Sequence, residues 1–155
     1  MRLTRQTEIA ISILISCARG GRLIDTQFAA AEAHTTKDHA AQVLKAMVRA
    51  GWIETRRGRG GGLSLAVDAD QLLLGDIVRT MQPASFQPAP CASETMERSL
   101  VSVLVDASTA VHDFLDCYSI ADLVENCPGN ASIAKPKRVA PSMTAMSRVA
   151  EGAGI

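Results

Sequence analysis

Aromatic side chains make up only 3% of the 155 residues. A protein that grips single-stranded nucleic acid by stacking bases on rings needs more of them, so that class is disfavoured. None of the four cysteines, Cys17, Cys91, Cys117 and Cys127, sits in a Cys-x-x-Cys pair, which argues against a zinc ribbon. Long hydrophobic runs are missing too. The apolar stretch 9–15 is too short to span a bilayer, and the polar segment Met1 to Thr7 lacks the signal-peptide pattern. The expectation is a cytoplasmic protein without membrane contact, whose cysteines are thiols or ligands rather than structural disulfides. A catalytic constellation is also missing: no nucleophile–base set and no complete metal set can be picked out, so an enzyme is not expected.

Net charge is absent as well, with 16 Lys/Arg against 16 Asp/Glu. The distribution is uneven, however. Residues 1–66 carry +5, residues 67–127 carry −8 and residues 128–155 carry +3. A basic first half joined to an acidic body suits a DNA reader with a separate part facing a partner or a signal.

What is present is a series of short helices around one hairpin. Thr4 to Ala18 reads as a helix so apolar that it must be buried on most sides, with Gly20-Gly21 as its stop. Asp25 or Thr26 caps a second helix reaching about His34. Thr36 caps a third, Lys37 to Ala50, stopped by Gly51. On that third helix Ala40, Val43, Leu44 and Met47 share one face, while Asp38, Gln42, Lys45 and Arg49 share the other. Alone, the polar face would be a solvated surface. Two short helices meeting across a tight turn instead form a helix-turn-helix, whose second helix enters the major groove.

Trp52 to Arg56 and Leu63 to Ala66 then read as two strands joined by Arg57-Gly58-Arg59-Gly60-Gly61-Gly62. A glycine-rich, arginine-bearing tip is what a DNA-binding wing needs: glycine lets backbone approach DNA closely, and arginine pairs with phosphate. A P-loop is excluded because no Gly-Lys-Ser/Thr follows and no helix starts there. Asp70 to Met81 predicts a fourth helix. A loop with Pro83, Pro88 and Pro90 leads to Cys91. A long helix follows from about Ser93 to Leu115, apolar along Leu100, Leu104, Ala107, Val111 and Phe114, and again at Val101 and Val105. Two apolar stripes require two packing partners, the second being a twofold-related copy. Ile120 to about Glu125 is a last short helix. From Pro128 the chain lacks periodicity and reads as a disordered tail.

The fold class is therefore mainly α, a winged helix-turn-helix with a long C-terminal dimerisation helix. The organisation is a DNA-binding domain over 1–81, a sensor loop over 82–93, a dimerisation and closing segment over 94–127, and a tail over 128–155. Lys37, Asp38, His39 and Gln42 are placed to read base edges, and Thr36 beside them belongs to the DNA-binding set. Lys45, Arg57, Arg59, Gly60 and Gly61 are placed at the DNA backbone.

Several segments, in order, resemble the Rrf2 family of bacterial winged-helix transcription regulators. They are Met1-Arg2-Leu3-Thr4, Arg49-Ala50-Gly51-Trp52, Arg57-Gly58-Arg59-Gly60-Gly61-Gly62-Leu63, Gly75-Asp76-Ile77-Val78 and Tyr118-Ser119-Ile120-Ala121-Asp122-Leu123-Val124. The resemblance spans about residues 1–125 and implies a dimeric, duplex-DNA-binding regulator, with repression as the expected outcome. In many members three cysteines and an acidic residue of the other subunit hold an iron–sulfur cluster that senses iron, redox state or nitric oxide. Here Cys91 matches the first cysteine and Glu8 the acidic ligand, but Arg98 stands at the third cysteine's place and no cysteine fills the middle one. Three readings stay open: a cluster on Cys91 and Glu8 with substitute ligands, a switch based on the Cys91 thiol, and a regulator without cofactor. A protein-interaction module of the same fold is a further alternative, countered by the wing arginines. Cys17 is expected in the core, Cys117 and Cys127 at the surface.

Overall fold

The computed structural model describes residues 2–20, 23–82 and 96–125, with side chains in the last segment described from residue 100. Cys91, Cys127, the side chain of Arg98, the loop from 83 and the tail from 128 lie outside those residues.

Helix α1 (Arg5–Gly20) is the central post, and it carries Ile9, Ala10, Ile13, Leu14 and Cys17 into the core. It touches α2 (Thr26–Glu32), α3 (Lys37–Arg49), α4 (Leu74–Met81), α6 (Ile120–Glu125) and strand β2 (Gly62–Leu65). That explains its near-continuous apolar sequence. Burying each such Ile or Leu side chain contributes roughly 1.5–3 kcal/mol. The helix ends at Gly20, where the glycine pair places its stop.

The two helices of the helix-turn-helix are capped as their sequence demands. The Asp25 carboxylate accepts from the Gln27 amide, and Thr36 Oγ1 accepts from the His39 amide at 3.3 Å. These bonds satisfy amides that a helix start leaves without a partner. Ala40, Val43, Leu44 and Met47 are all buried, so the apolar face of α3 is the one read from its periodicity.

Strands β1 (Ile53–Arg56) and β2 pair antiparallel in the register Ile53 with Leu65 and Arg56 with Gly62. A third strand position joins them: Ile24 and Leu63 exchange two backbone hydrogen bonds, of 2.9 and 2.8 Å. This bridge fixes the wing to the segment that enters α2.

Helix α4 begins at Leu74, four residues later than expected, because the backbone before it is used elsewhere. Leu73 bridges Ser119, the Leu74 amide donates to Tyr118, and the Ile120 amide donates to Leu72. A turn at Asp70 and Gln71, where the Gln71 amide donates to Asp68, and extended pairing at Leu72 and Leu73 thus win over helix. Helix α5 (Met96–Leu115) is followed by a turn and then α6, whose start is held reciprocally. Ser119 Oγ and the Ser119 amide both donate to Asp122, and the Asp122 amide donates back to Ser119 Oγ.

Cys117 corrects the sequence expectation of a surface thiol. It is 2% exposed, and its Sγ–H donates to the Asp113 carbonyl at 3.4 Å. The turn between α5 and α6 folds it inward, a tertiary effect that local sequence does not reveal. Cys17 is buried as expected, and burial pushes its thiol up to about 11. His112 on α5 is half-buried.

Candidate nucleic-acid interface

Thr36, Lys37, Asp38, Gln42 and Lys45 are exposed along one side of α3, and His39 is half-buried. Once Ala40, Val43, Leu44 and Met47 are committed to the core, this side is the only one α3 can present. Arg57, Arg59 and Gly60 are exposed at the wing tip.

Gly60 has φ +84°, where an L side chain is strained. A Cβ on Gly61 would collide with the Arg56 carbonyl of the opposite strand end. Glycine in a wing is expected to permit close approach by DNA. At Gly61 the close approach is by the hairpin's own backbone, so that glycine builds the wing before it can serve a ligand.

Between α3 and the wing lies an open groove of about 920 Å³. Lys45 and Arg49 line it from the helix, and Arg56 and Arg57 line it from the hairpin. Its remaining walls include the apolar Leu44, Val48 and Leu63. The structure therefore brings predicted Lys45, Arg57 and Gly61 together. It leaves Lys37, Asp38 and His39 at the far end of α3, and Arg59 and Gly60 outside the groove lining. Arg49 and Arg56 were not singled out for the site from sequence, since each belongs to a regular element. Arg49's place on the polar face of α3 was the available signal. Arg56 lies 4.0 Å from Glu54, which also accepts from Ser64 Oγ at 3.0 Å. Both partners of that ion pair are well exposed, so water screens it and Arg56 stays free to meet an anion.

Glu8 is exposed on the first turns of α1, its carboxylate 3.2 Å from Arg5 Nη1. Among the described residues no group of three His, Cys, Asp or Glu side chains could hold a metal ion. Clusters are held chiefly by thiolates. The two described thiols, Cys17 and Cys117, are buried on different elements and do not fit that task. Cys91, the cysteine that the family resemblance assigns to a cluster, lies outside the described residues.

Comparison with known proteins decides the family. The Rrf2 family, described as "Iron-dependent Transcriptional regulator", matches residues 3–126. The chain belongs to the Rrf2 family. The HTH-type transcriptional regulator NsrR of Bacillus subtilis (strain 168) is 31% identical over 135 residues, covering 81% of this chain and 92% of that one. Among solved structures, the oxidized form of Staphylococcus aureus CymR superposes with a TM-score of 0.66 at 24% identity, over 81% of this chain and 97% of that one. The T. potens IscR structure does so with 0.66 at 17% identity, over 90% and 94%. The winged-helix fold and its role as a DNA-binding transcription regulator follow from this membership. An iron–sulfur cluster is consistent with a family described as iron-dependent. Among the described residues no helix is long and apolar enough to cross a membrane.

Proposed function

We propose that this Rrf2-family chain acts in the cytoplasm as a non-enzymatic homodimeric repressor. Its two α3 helices occupy successive major grooves, and the wings hold the flanking backbone. The observation that carries the reading is the groove between α3 and the wing, with two cations on each side against the single carboxylate of Asp25, and walls that mix apolar Leu44, Val48 and Leu63 with Thr26 and Thr55. Cations suit phosphates and apolar walls suit the sugar faces between them. Lys37, Asp38, His39 and Gln42 read bases, with Thr36 at the helix start beside them; Lys45, Arg57, Arg59 and the glycines at 60 and 61 meet backbone. The unit 1–81 reads DNA, 82–93 senses and 94–127 dimerises.

Dimerisation is supported by α5, which leaves Leu100, Val103, Val105 and Phe114 between 46% and 62% exposed. Leu100, Val103 and Phe114 share one side of the helix and Val105 lies on another; large exposed apolar side chains of this kind mark an interaction surface. The signal enters at Cys91, with Glu8 of the partner subunit as its companion. Selecting binding sites from a random duplex pool tests the reading. Two inverted half-sites about one helical turn apart are expected. Recovery of no preferred sequence, or of a single unsymmetric site, would count against it.

A further inference from the structure

The turn that joins α2 to α3 is held from outside. The chain leaves α2 through His34, which has φ +47°, a left-handed conformation unusual for a residue with a Cβ. The amides of this turn are satisfied internally: His34 donates to Ala31 at 3.0 Å and Thr35 to Ala30 at 2.9 Å. The carbonyls of Ala33 and His34 accept from the Arg5 side chain. Arg5 projects from the first turn of α1, and its Nη2 donates to Ala33 O at 3.0 Å and to His34 O at 2.8 Å. Its Nη1 donates to Glu8 at 3.2 Å. One guanidinium thus joins three acceptors on two elements.

The position of that contact is what matters. Thr36, the cap of α3, lies two residues past His34, and Lys37 to His39 follow directly. Freedom at His34 would swing the first turn of α3, the part of a recognition helix that meets base edges. We propose that Arg5 is a positioning residue for sequence reading. It fixes the angle at which α3 leaves the turn, without itself touching DNA. Glu8, by holding Nη1, orients the guanidinium so that Nη2 faces both carbonyls. The inference rests on the DNA-reading function proposed above.

Three roles for Arg5 give different signatures. A backbone contact weakens binding to every duplex and flattens the log–log salt slope by about one. A purely structural residue lowers the melting temperature but leaves the folded protein's discrimination intact. A positioning residue lowers discrimination and leaves the slope unchanged. The experiment compares the parent, Arg5→Ala and Arg5→Lys by fluorescence anisotropy. The probes are the selected operator duplex and an unrelated duplex, between about 50 and 200 mM salt. Melting curves report whether each variant is folded. We expect Arg5→Ala to lose about fivefold or more of the specific-to-non-specific ratio, with an unchanged slope. Arg5→Lys should recover part of the loss, because an ammonium can still donate to one carbonyl. If Arg5→Ala does not fold, Arg5→Lys read against the parent decides by the same ratio and slope. An unchanged ratio in folded variants overturns the proposal, as does a slope lowered by about one at constant ratio. A parent that shows no preference for the operator overturns the DNA-reading function itself, and the role of Arg5 with it.

Discussion

One guanidinium nitrogen of Arg79 donates to both carboxylate oxygens of Asp116, at 2.8 and 3.0 Å. The same nitrogen lies 2.7 Å from Asp76, and these acidic partners raise the Arg79 pKa further above its ordinary value. Arg79 sits in the last turn of α4 and Asp116 just past α5, so the contact ties the DNA-reading body to the helix assigned to dimerisation. Both side chains are partly open to water, at 39% and 30% exposure. Asp116→Ala should therefore cost a modest amount, about 1 kcal/mol. A fall of a few degrees in melting temperature is expected. An unchanged melting curve would show that packing alone joins the two elements.

Dimerisation through α5 gives a second prediction. Val103 is 62% exposed and Leu100 57% exposed in the isolated chain. Leu104, which the sequence placed on the same stripe as Leu100, is half-buried and so a less direct test. Val103→Asp should yield monomers on light scattering, since an unpaired carboxylate in an apolar interface costs several kcal/mol. A soluble dimer of unchanged mass contradicts the assignment.

Cys17 predicts a pH dependence. Its thiol is held protonated by burial, from an ordinary value near 9 up to about 11. The folded state therefore binds this proton more tightly than the unfolded state. The contribution is fully present below pH 9 and is lost as pH rises towards 11, by about 2 kcal/mol over that window. Stability measured by denaturant titration should fall more steeply across the window in the parent than in Cys17→Ala. Equal slopes for the two proteins would remove Cys17 as the cause.

The sensing assignment predicts behaviour at two residues. If a cluster forms, Cys91→Ser and Glu8→Ala should each lower iron content and visible absorbance of anaerobically purified protein. Cys17→Ser and Cys117→Ser should not, because both thiols are engaged in the core. If the thiol itself responds, Glu8→Ala leaves iron content and oxidant response unchanged, and Cys91→Ser matters only under oxidant. Should Cys91→Ser change neither iron, oxidant response nor DNA affinity, then the signal enters elsewhere.

The parts of the fold legible from sequence are those written in local chemistry. Thr36 as a cap and the face Ala40, Val43, Leu44, Met47 follow from hydrogen-bonding capacity and a period of 3.6. The hairpin follows from its glycines and its flanking apolar residues. What stayed hidden depends on distant partners. Cys117 looked like a surface thiol because its burial is made by the α5–α6 turn. Leu72 and Leu73 read as helical because their pairing partners, Ile120 and Ser119, are distant in the sequence. The contacts of Arg5 are not written in local sequence either, since the two carbonyls it holds are 28 and 29 residues away.

The salt dependence of duplex binding tests the central claim most directly. The parent and the double variant Arg57→Ala, Arg59→Ala would be titrated against the same operator and an unrelated duplex. If α3 and the wing form the DNA interface, the variant weakens on both duplexes. Its log–log salt slope is then smaller by up to about two, roughly one for each lost phosphate contact. Gln42→Ala, on the base-reading side of α3, should instead change sequence preference at nearly constant slope. A wing variant that binds as tightly as the parent, with the same slope, would contradict the account.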